Sequence, residues 1–403
     1  MDYINKFACH AISDNSCPFA EHSYSVSFYI MTLSPNVLNI DLSSLVYNLN
    51  QVRKLIDPPI KIMGIVKSDA YGHGLLRVSR LLEDNGVHFL GVAHIQEALA
   101  LRKNGIRLPI AILCGIKTRE EAEEVVNKNL TPVVFNLSSA ELLDNEAVRK
   151  GKRVNIHLKI DTGMSRLGIS YSDAGPFMRR LTDYPGLNLE ALMSHLSSAD
   201  EVDPSYTNAQ IRNFKRALET GRAMGIALSL SHLANSAGVM AHESSHFNMI
   251  RPGIMLYGGL PSPGFVAPLP LKQVMRFKSE IIQIRDFTGN TPVSYGRRYY
   301  TNGPRRLATV SAGYGDGLPR SLSNRGKVLI GGRKVNMVGN ICMNMFMGDI
   351  TGIQHVMSGD EVIILGAQGG EIITGDNLAE WSDTISYEIF LSIGQVNARG
   401  YTE

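Results

Sequence analysis

Charge of one sign is what this 403-residue chain has least of: 40 Lys and Arg stand against 37 Asp and Glu, a formal net charge of +3. So small an excess on so long a chain leaves no global electrostatic footprint for nucleic acid or an anionic membrane, and neither partner is expected. Long hydrophobic runs are missing too. The longest, such as Pro109–Ile116, fall well short of the roughly 18 residues a membrane-spanning helix needs. Cysteine is scarce: Cys9, Cys17, Cys114 and Cys342 are scattered and none sits in a Cys-x-x-Cys pair. That argues against a disulfide framework and suits a reducing cytoplasm. The first thirty residues lack a basic segment followed by an apolar one, so they do not resemble a signal peptide. Met31 is followed directly by well-patterned sequence, and residues 1–30 are expected to be an unstructured extension or the product of too early a start codon. There is no internal repeat and no low-complexity block.

What is present is ordinary globular composition, 44% hydrophobic and 19% charged. The length suits two or three domains, or one large barrel with a smaller module. An opening strand, Val37–Asp41, leads into a helix with Leu45, Leu49, Val52 and Leu55 at helical spacing. Apolar runs of strand length then recur at Ile60–Val66, Phe89–Ala93, Pro109–Cys114, Pro132–Phe135, Val154–Ile160, Leu187–Met193, Ala227–His232 and Phe247–Ile250, with helical patterns between them. Strand–helix alternation with short connections predicts a parallel sheet, and about eight such units predict closure into a TIM-like (β/α)8 barrel over residues 31–265. The strand Val37–Asp41 is surplus to that count and has to pair elsewhere. After the Pro-rich segment Pro261–Pro270 the texture changes to short strands and Gly/Asn turns, which predicts a β-rich C-terminal domain over residues 266–403 that could take up the surplus strand. Only Thr374–Asp383 looks helical there.

In such barrels functional groups gather at the C-terminal ends of the strands. Lys67 closes the run Ile60–Val66. An ammonium at the end of a buried strand is costly unless it is paired or its pKa falls, and an amine of lowered pKa is what Schiff-base chemistry needs. Along Val154–Asp161 the apolar residues alternate with Asn155, His157, Lys159 and Asp161, so the polar face carries a second lysine with Arg166 close behind. Two cations in one barrel mouth repel unless an anion lies between them. His195 follows the next run. Ser236 starts a short helix after His232, and Arg251 precedes Gly253 and Ile254. A hydroxyl at a helix start beside exposed amides suits a phosphate, although neither Gly-x-Gly-x-x-Gly nor a Walker pattern is present. No metal site is expected.

These residues fall in motifs that resemble the alanine racemase family: Val66-Lys-Ser-Asp-Ala-Tyr-Gly-His-Gly74, Lys159-Ile-Asp-Thr-Gly-Met-Ser-Arg-Leu-Gly168, His232-Leu-Ala-Asn-Ser-Ala237, Arg251-Pro-Gly-Ile254, Val293-Ser-Tyr-Gly296, Gly313-Tyr-Gly-Asp-Gly317, Ile341-Cys-Met343 and Ser386-Tyr-Glu388. The resemblance runs from about Val37 to Tyr401. It implies pyridoxal 5'-phosphate (PLP) as cofactor, carried by Lys67, which also acts as one of two bases. It implies that Tyr71, Ser236, the amides of Gly253 and Ile254, and Tyr387 hold the phosphate. Arg251 would face the pyridine nitrogen and His195 would lie against the ring. Arg166 would meet the substrate carboxylate, with the backbone of Met343 and with Tyr314 nearby, and Lys159 would be carbamylated and brace Arg166. Tyr295 is implied as the second base, supplied with Tyr314 and Met343 by the other subunit of a homodimer. The expected activity is interconversion of L- and D-alanine for peptidoglycan synthesis.

Two departures stand out. Asn344 follows Cys-Met where the family commonly has Asp, and Gln395-Val-Asn-Ala-Arg399 differs from an Arg-Val-Pro-Arg-like run. A racemase of broader, serine or basic amino-acid specificity is therefore the nearest alternative. A PLP-dependent decarboxylase would need a Glu at the pyridine nitrogen and a Gly-rich phosphate loop. A non-catalytic PLP carrier would lack the β domain that bears Tyr295.

Overall fold

The fold is that of a computed structural model that describes residues 34–403; the extension expected over residues 1–30 lies outside the described residues. The chain passes through β1 (Val37–Asp41), β2 (Lys61–Ile65), β3 (Phe89–Val92), β4 (Ile110–Ile112), β5 (Thr131–Val134), β6 (Val154–Asp161), the short β7 (Ile169–Ser170), β8 (Leu187–Met193), β9 (Leu230–His232) and β10 (Met249–Ile250). Pairing runs β5-β4-β3-β2-β10-β9-β8-β6, and β5 also pairs with β6. The eight parallel strands therefore close on themselves, and β7 hangs on the end of β6.

Each barrel strand is short and apolar because it is covered on both faces. Leu90, Ile112, Val134, Leu158 and Leu192 are fully buried. The helix Leu42–Lys54 shows how the outer ring is held: Leu45, Leu49 and Val52 bury one face, and the Asp41 carboxylate accepts from the Ser44 amide at the N-terminus. Each such leucine contributes about 1.5–3 kcal/mol by leaving water. Thr118 and Glu121 close a capping box on the helix Arg119–Lys128.

The second domain contains β11 (Met275–Phe287), β12 (Pro292–Val293), β13 (Tyr299–Tyr300), β14 (Arg305–Val310), β15 (Lys327–Ile330), β16 (Arg333–Val338), β17 (Phe346–Asp349), β18 (Glu361–Gln368), β19 (Glu371–Ile373) and β20 (Arg399–Thr402). Six of these strands form a second closed ring, β11-β14-β17-β16-β15-β18 and back to β11. Closure depends on β11. Its first half pairs with β18, a register shift falls between Ile281 and Gln283, and its second half pairs with β14. Phe277, Phe346, Leu329 and Ile363 are buried in this domain. The surplus strand β1 pairs antiparallel with β11 and parallel with β20, so the start and the end of the described chain lie side by side in the β domain's sheet.

One element differs from the sequence reading. Besides the helix Gly375–Ser382, a second helix runs over Ser386–Val396. Its sequence is dense in apolar and aromatic residues, so it shows little helical periodicity. Ile389, Phe390 and Ile393 are all buried because it packs between the two domains' surfaces near Gly72. Among the described residues no helix is long and apolar enough to cross a membrane.

Candidate active site

The C-terminal ends of the barrel strands open onto one cavity of about 900 Å³. Lys67, Tyr71, Lys159, Arg166, His195, Ser236, Arg251, Gly253, Ile254 and Tyr387 all line it. Lys67 stands just past β2. Its amine is pressed below the ordinary lysine value by burial first and by the Arg166 and Arg251 cations after that, with Glu97 pulling the other way. Directly behind it, Ser68, Asp69, Ala70 and Tyr71 all take left-handed backbone angles, with φ between 53° and 55°. For L-residues that conformation costs roughly 1–2 kcal/mol each, so the turn has to be held from outside. Glu97 accepts from the Ser68 amide at 2.6 Å, and Asp69 accepts from the Leu75 amide at 2.7 Å. The turn delivers the buried Tyr71 ring against Tyr257, centroids 4.9 Å apart. Burial raises the Tyr71 phenol above its usual value, and it stays protonated.

Lys159 and His157 come from the polar face of β6, which is the inside of the barrel, and both are buried. Lys159 is driven well below the usual lysine value by burial, then by Arg251 and Arg166. The mutual repulsion expected from sequence therefore acts on Lys159 in the direction of its neutral amine. Arg251 is held by the Ser194 carbonyl at 2.6 Å, by His232 Nδ1 at 2.8 Å and by His195 Nδ1 at 3.2 Å. Burial lowers its guanidinium to about 9, still above neutrality, so it remains a cation. A guanidinium can only donate, so both histidines accept at Nδ1. Each is accordingly neutral, held well below the usual histidine value by burial and neighbouring cations.

Ser236 Oγ accepts from the Gly253 amide at 2.9 Å and from the Met255 amide at 3.4 Å. That leaves its own proton free to be donated. Gly253 is required: a Cβ there would lie 2.5 Å from Tyr71 Oη. Among the described residues, Lys67 Nζ, Lys159 Nζ, the Arg166 guanidinium and the hydroxyls of Tyr71 and Tyr387 donate to no protein acceptor. Cationic and hydroxyl donors thus converge on one cavity with few anions around them.

Three of the expected residues lie elsewhere. Tyr295 (72% exposed), Tyr314 (43%) and Met343 (58%) stand on the surface of the β domain and do not line this chain's cavity. They form a connected patch of their own. Asn340 donates to the Tyr295 carbonyl, the Tyr314 amide donates to the Cys342 carbonyl, and the Gly315 amide donates to the Met343 carbonyl. Asn344 donates to Asp316 at 3.3 Å. Sequence reasoning missed Glu97 and the pair His157–Glu190. The only available signal was the capping-box position of Glu97.

The family described as "Alanine racemase, N-terminal domain" matches residues 40–261, and "Alanine racemase, C-terminal domain" matches residues 274–401. The alanine racemase of Syntrophobacter fumaroxidans is 42% identical over 358 residues, covering 89% of this chain and 95% of its own. The solved alanine racemase of Clostridium difficile 630 is 35% identical with a TM-score of 0.84, covering 92% of this chain and 96% of that one. That of Bartonella henselae, solved with covalently bound pyridoxal phosphate, is 30% identical with a TM-score of 0.82, covering 91% of this chain and 99% of that one. Matches of this extent, across both rings and the cavity between the strand ends, establish that the chain belongs to the alanine racemase family of isomerases.

Proposed function

We propose that this chain interconverts L- and D-alanine with PLP, as a cytoplasmic homodimer that supplies D-alanine for peptidoglycan precursors. The observation that carries the reading is the donor set around Lys67. A lysine of lowered pKa, two further cationic side chains and three hydroxyls suit a ligand that brings a phosphate, a phenolic oxygen and a carboxylate. Gly253, where a Cβ would strike Tyr71, keeps backbone against the phenol and suits a phosphate cradle. Lys67 would hold the cofactor covalently. Tyr71, Ser236, the Gly253 and Ile254 amides and Tyr387 would hold its phosphate, Arg251 would face the pyridine nitrogen, and His195 would lie against the ring. Bound there, the cofactor would supply the electron sink that makes the substrate α-proton removable.

The protein's own part is to place charge and move protons. Arg166 would anchor the substrate carboxylate. Burial and the neighbouring cations press Lys159 toward its neutral amine, the form that adds CO₂. The resulting carbamate loses a proton to water and gives Arg166 an anion to lean on. Lys67 Nζ would exchange the α-proton on one face. The opposite face needs a second base, and the family resemblance assigns that role to Tyr295 of the partner subunit. Its exposed ring, with Tyr314 and Met343 beside it, supports a shared site that two chains complete.

The test is incubation of L-alanine with the enzyme and PLP, followed by chiral analysis, with borohydride fixation to locate the cofactor. D-Alanine should accumulate and the label should sit on Lys67. CO₂ release, no inversion, or labelling at another lysine would overturn the reading. Broader specificity is the second reading, favoured by Asn344. Selection by pocket size alone is limited to about 10–200-fold per methylene. Alanine should be preferred and serine slow; serine or lysine turned over as efficiently as alanine would establish the second reading instead.

A further inference from the structure

We propose that Arg399 is a positioning residue for Lys67: its guanidinium locks the left-handed turn that follows the lysine. The effect on cofactor rests on the roles of Lys67 and Tyr71 given above; the lock itself does not.

The turn Ser68–Tyr71 contains no glycine, and Gly72 (φ 81°) comes only after four disfavoured residues. Its local bonds run from Ala70 N–H to Val66 O at 2.9 Å, Gly72 N–H to Ser68 O at 3.2 Å, His73 N–H to Ala70 O at 3.0 Å and Gly74 N–H to Asp69 O at 2.9 Å, with His73 Nδ1 against the Ala70 and Tyr71 carbonyls. All of them stay within residues 66–74 and tie the turn to nothing outside it. Arg399 reaches it from the far end of the chain. Nε donates to the Gly72 carbonyl at 2.8 Å, and Nη2 donates to the Asp69 carboxylate and to the Gly394 carbonyl, the last at 2.7 Å. One planar group therefore joins both ends of the turn and fastens them to the helix Ser386–Val396. Nε and Nη2 lie on one edge of the guanidinium and donate in parallel, which a lysine ammonium cannot reproduce.

The helix rests directly on the turn. A Cβ on Gly72 would fall 2.4 Å from the Phe390 carbonyl, and one on Gly394 would fall 2.1 Å from the Gly72 carbonyl. Asp69 is itself committed, since its other oxygen accepts from Leu75. Lys67 and Tyr71 bracket the turn, so its release moves both at once. Arg166, on a different loop, is untouched. Loss of Arg399 should therefore weaken cofactor retention and turnover while leaving substrate affinity nearly unchanged.

The experiment uses the full-length enzyme, with Arg399→Ala, Arg399→Lys, Asp69→Asn and the double variant. Deuterium uptake of peptides covering residues 67–75 reads the turn, with the helix Ser205–Ala223 as internal control. PLP release, kcat and KM read its consequence. Arg399→Ala and Asp69→Asn should each speed exchange in the turn and PLP release by roughly tenfold or more, the scale of a lost charged hydrogen bond. In both, kcat should fall with KM within about twofold. Arg399→Lys should recover only part of the loss, and the double variant should be no worse than the worse single. Should Arg399→Ala not fold, Asp69→Asn, which is nearly isosteric, decides the matter. Unchanged exchange over residues 67–75 overturns the lock. Faster exchange with unchanged PLP release and kcat overturns the positioning role. A wild-type chain that binds no PLP overturns the reading of Lys67, and the exchange measurement still decides the lock.

Discussion

Arg251 donates from Nη1 to Nδ1 of His232 across 2.8 Å, and that one contact fixes the protons of the side chains beneath it. His232 accepts at Nδ1, so as a neutral ring it carries its proton on Nε2 and donates to His157 Nδ1 at 3.1 Å. His157 must then carry its proton on Nε2 and donate to Glu190 at 3.2 Å. A donor chain thus runs through the barrel from the cavity toward the opposite end and finishes on a carboxylate. Glu190→Leu leaves the buried His157 N–H without its acceptor and should lower stability by about 1–3 kcal/mol in urea denaturation. Glu190→Gln keeps an acceptor oxygen and should lose less than half as much. Equal stability of the Leu variant and the wild type would mean that the chain is not polarised in this direction.

The buried histidines set an acid limit. His73, His157 and His232 are fully buried, and burial holds all three below the ordinary histidine value, His73 at about 3. In the unfolded chain each titrates near 6.5. The folded state therefore binds fewer protons than the unfolded state below that pH. These groups cost no stability above about pH 6.5, and stability falls as pH drops from there toward the folded values. The slope is up to about 1.4 kcal/mol per pH unit for each histidine. Urea midpoints should change little between pH 8 and 6.5 on their account and fall steeply between 6.5 and 5. A flat response down to pH 5 would show that these rings accept protons in the folded state.

The barrel was legible because its strands are buried on both faces, so runs such as Val154–Ile160 stand out from the helical patterns around them. Lys67 was legible for the opposite reason, as a charge ending an apolar run. The closure of the second ring was not. It depends on the shift between Ile281 and Gln283 within one strand, and on β17, whose Phe346–Asp349 is too short to show a period. The helix Ser386–Val396 was hidden by its own apolar density. The left-handed turn was hidden because Ser68, Asp69, Ala70 and Tyr71 carry no glycine to announce it. The partners that hold it, Glu97 and Arg399, lie 29 and 330 residues away from the groups they bind. Distant pairings of that kind leave no local trace in composition or spacing.

The separation of Lys67 from Tyr295 makes a prediction about subunits. Lys67 lines the cavity and Tyr295 stands exposed on the β domain. Lys67→Ala and Tyr295→Phe should each be inactive as homodimers. Mixed under conditions that exchange subunits, they should recover activity, because one site of each mixed dimer draws an intact Lys67 from one chain and an intact Tyr295 from the other. Mass spectrometry of the mixed species checks the exchange. Exchange without recovery would place both bases in one chain.

The same two residues should be stereochemically distinct. Racemisation removes a proton from one face of the α-carbon and returns one to the other, and a single base could do both only by crossing the substrate plane. Lys67, with its amine pressed below the usual lysine range, is suited to one face. In the family's assignment it serves D-alanine, and the tyrosine serves L-alanine. In deuterated water, Tyr295→Phe should therefore lose α-proton exchange from L-alanine first, by about 10²–10⁴-fold, the usual effect of removing a general base. Exchange from D-alanine should persist at a measurable rate, because Lys67 can still remove that proton and return deuterium to the same face. Proton NMR of the α-position, followed separately for each isomer with dimer and cofactor content held constant, resolves the difference. Equal loss from both isomers would mean that Tyr295 orients the substrate and that its hydroxyl carries no proton in the reaction.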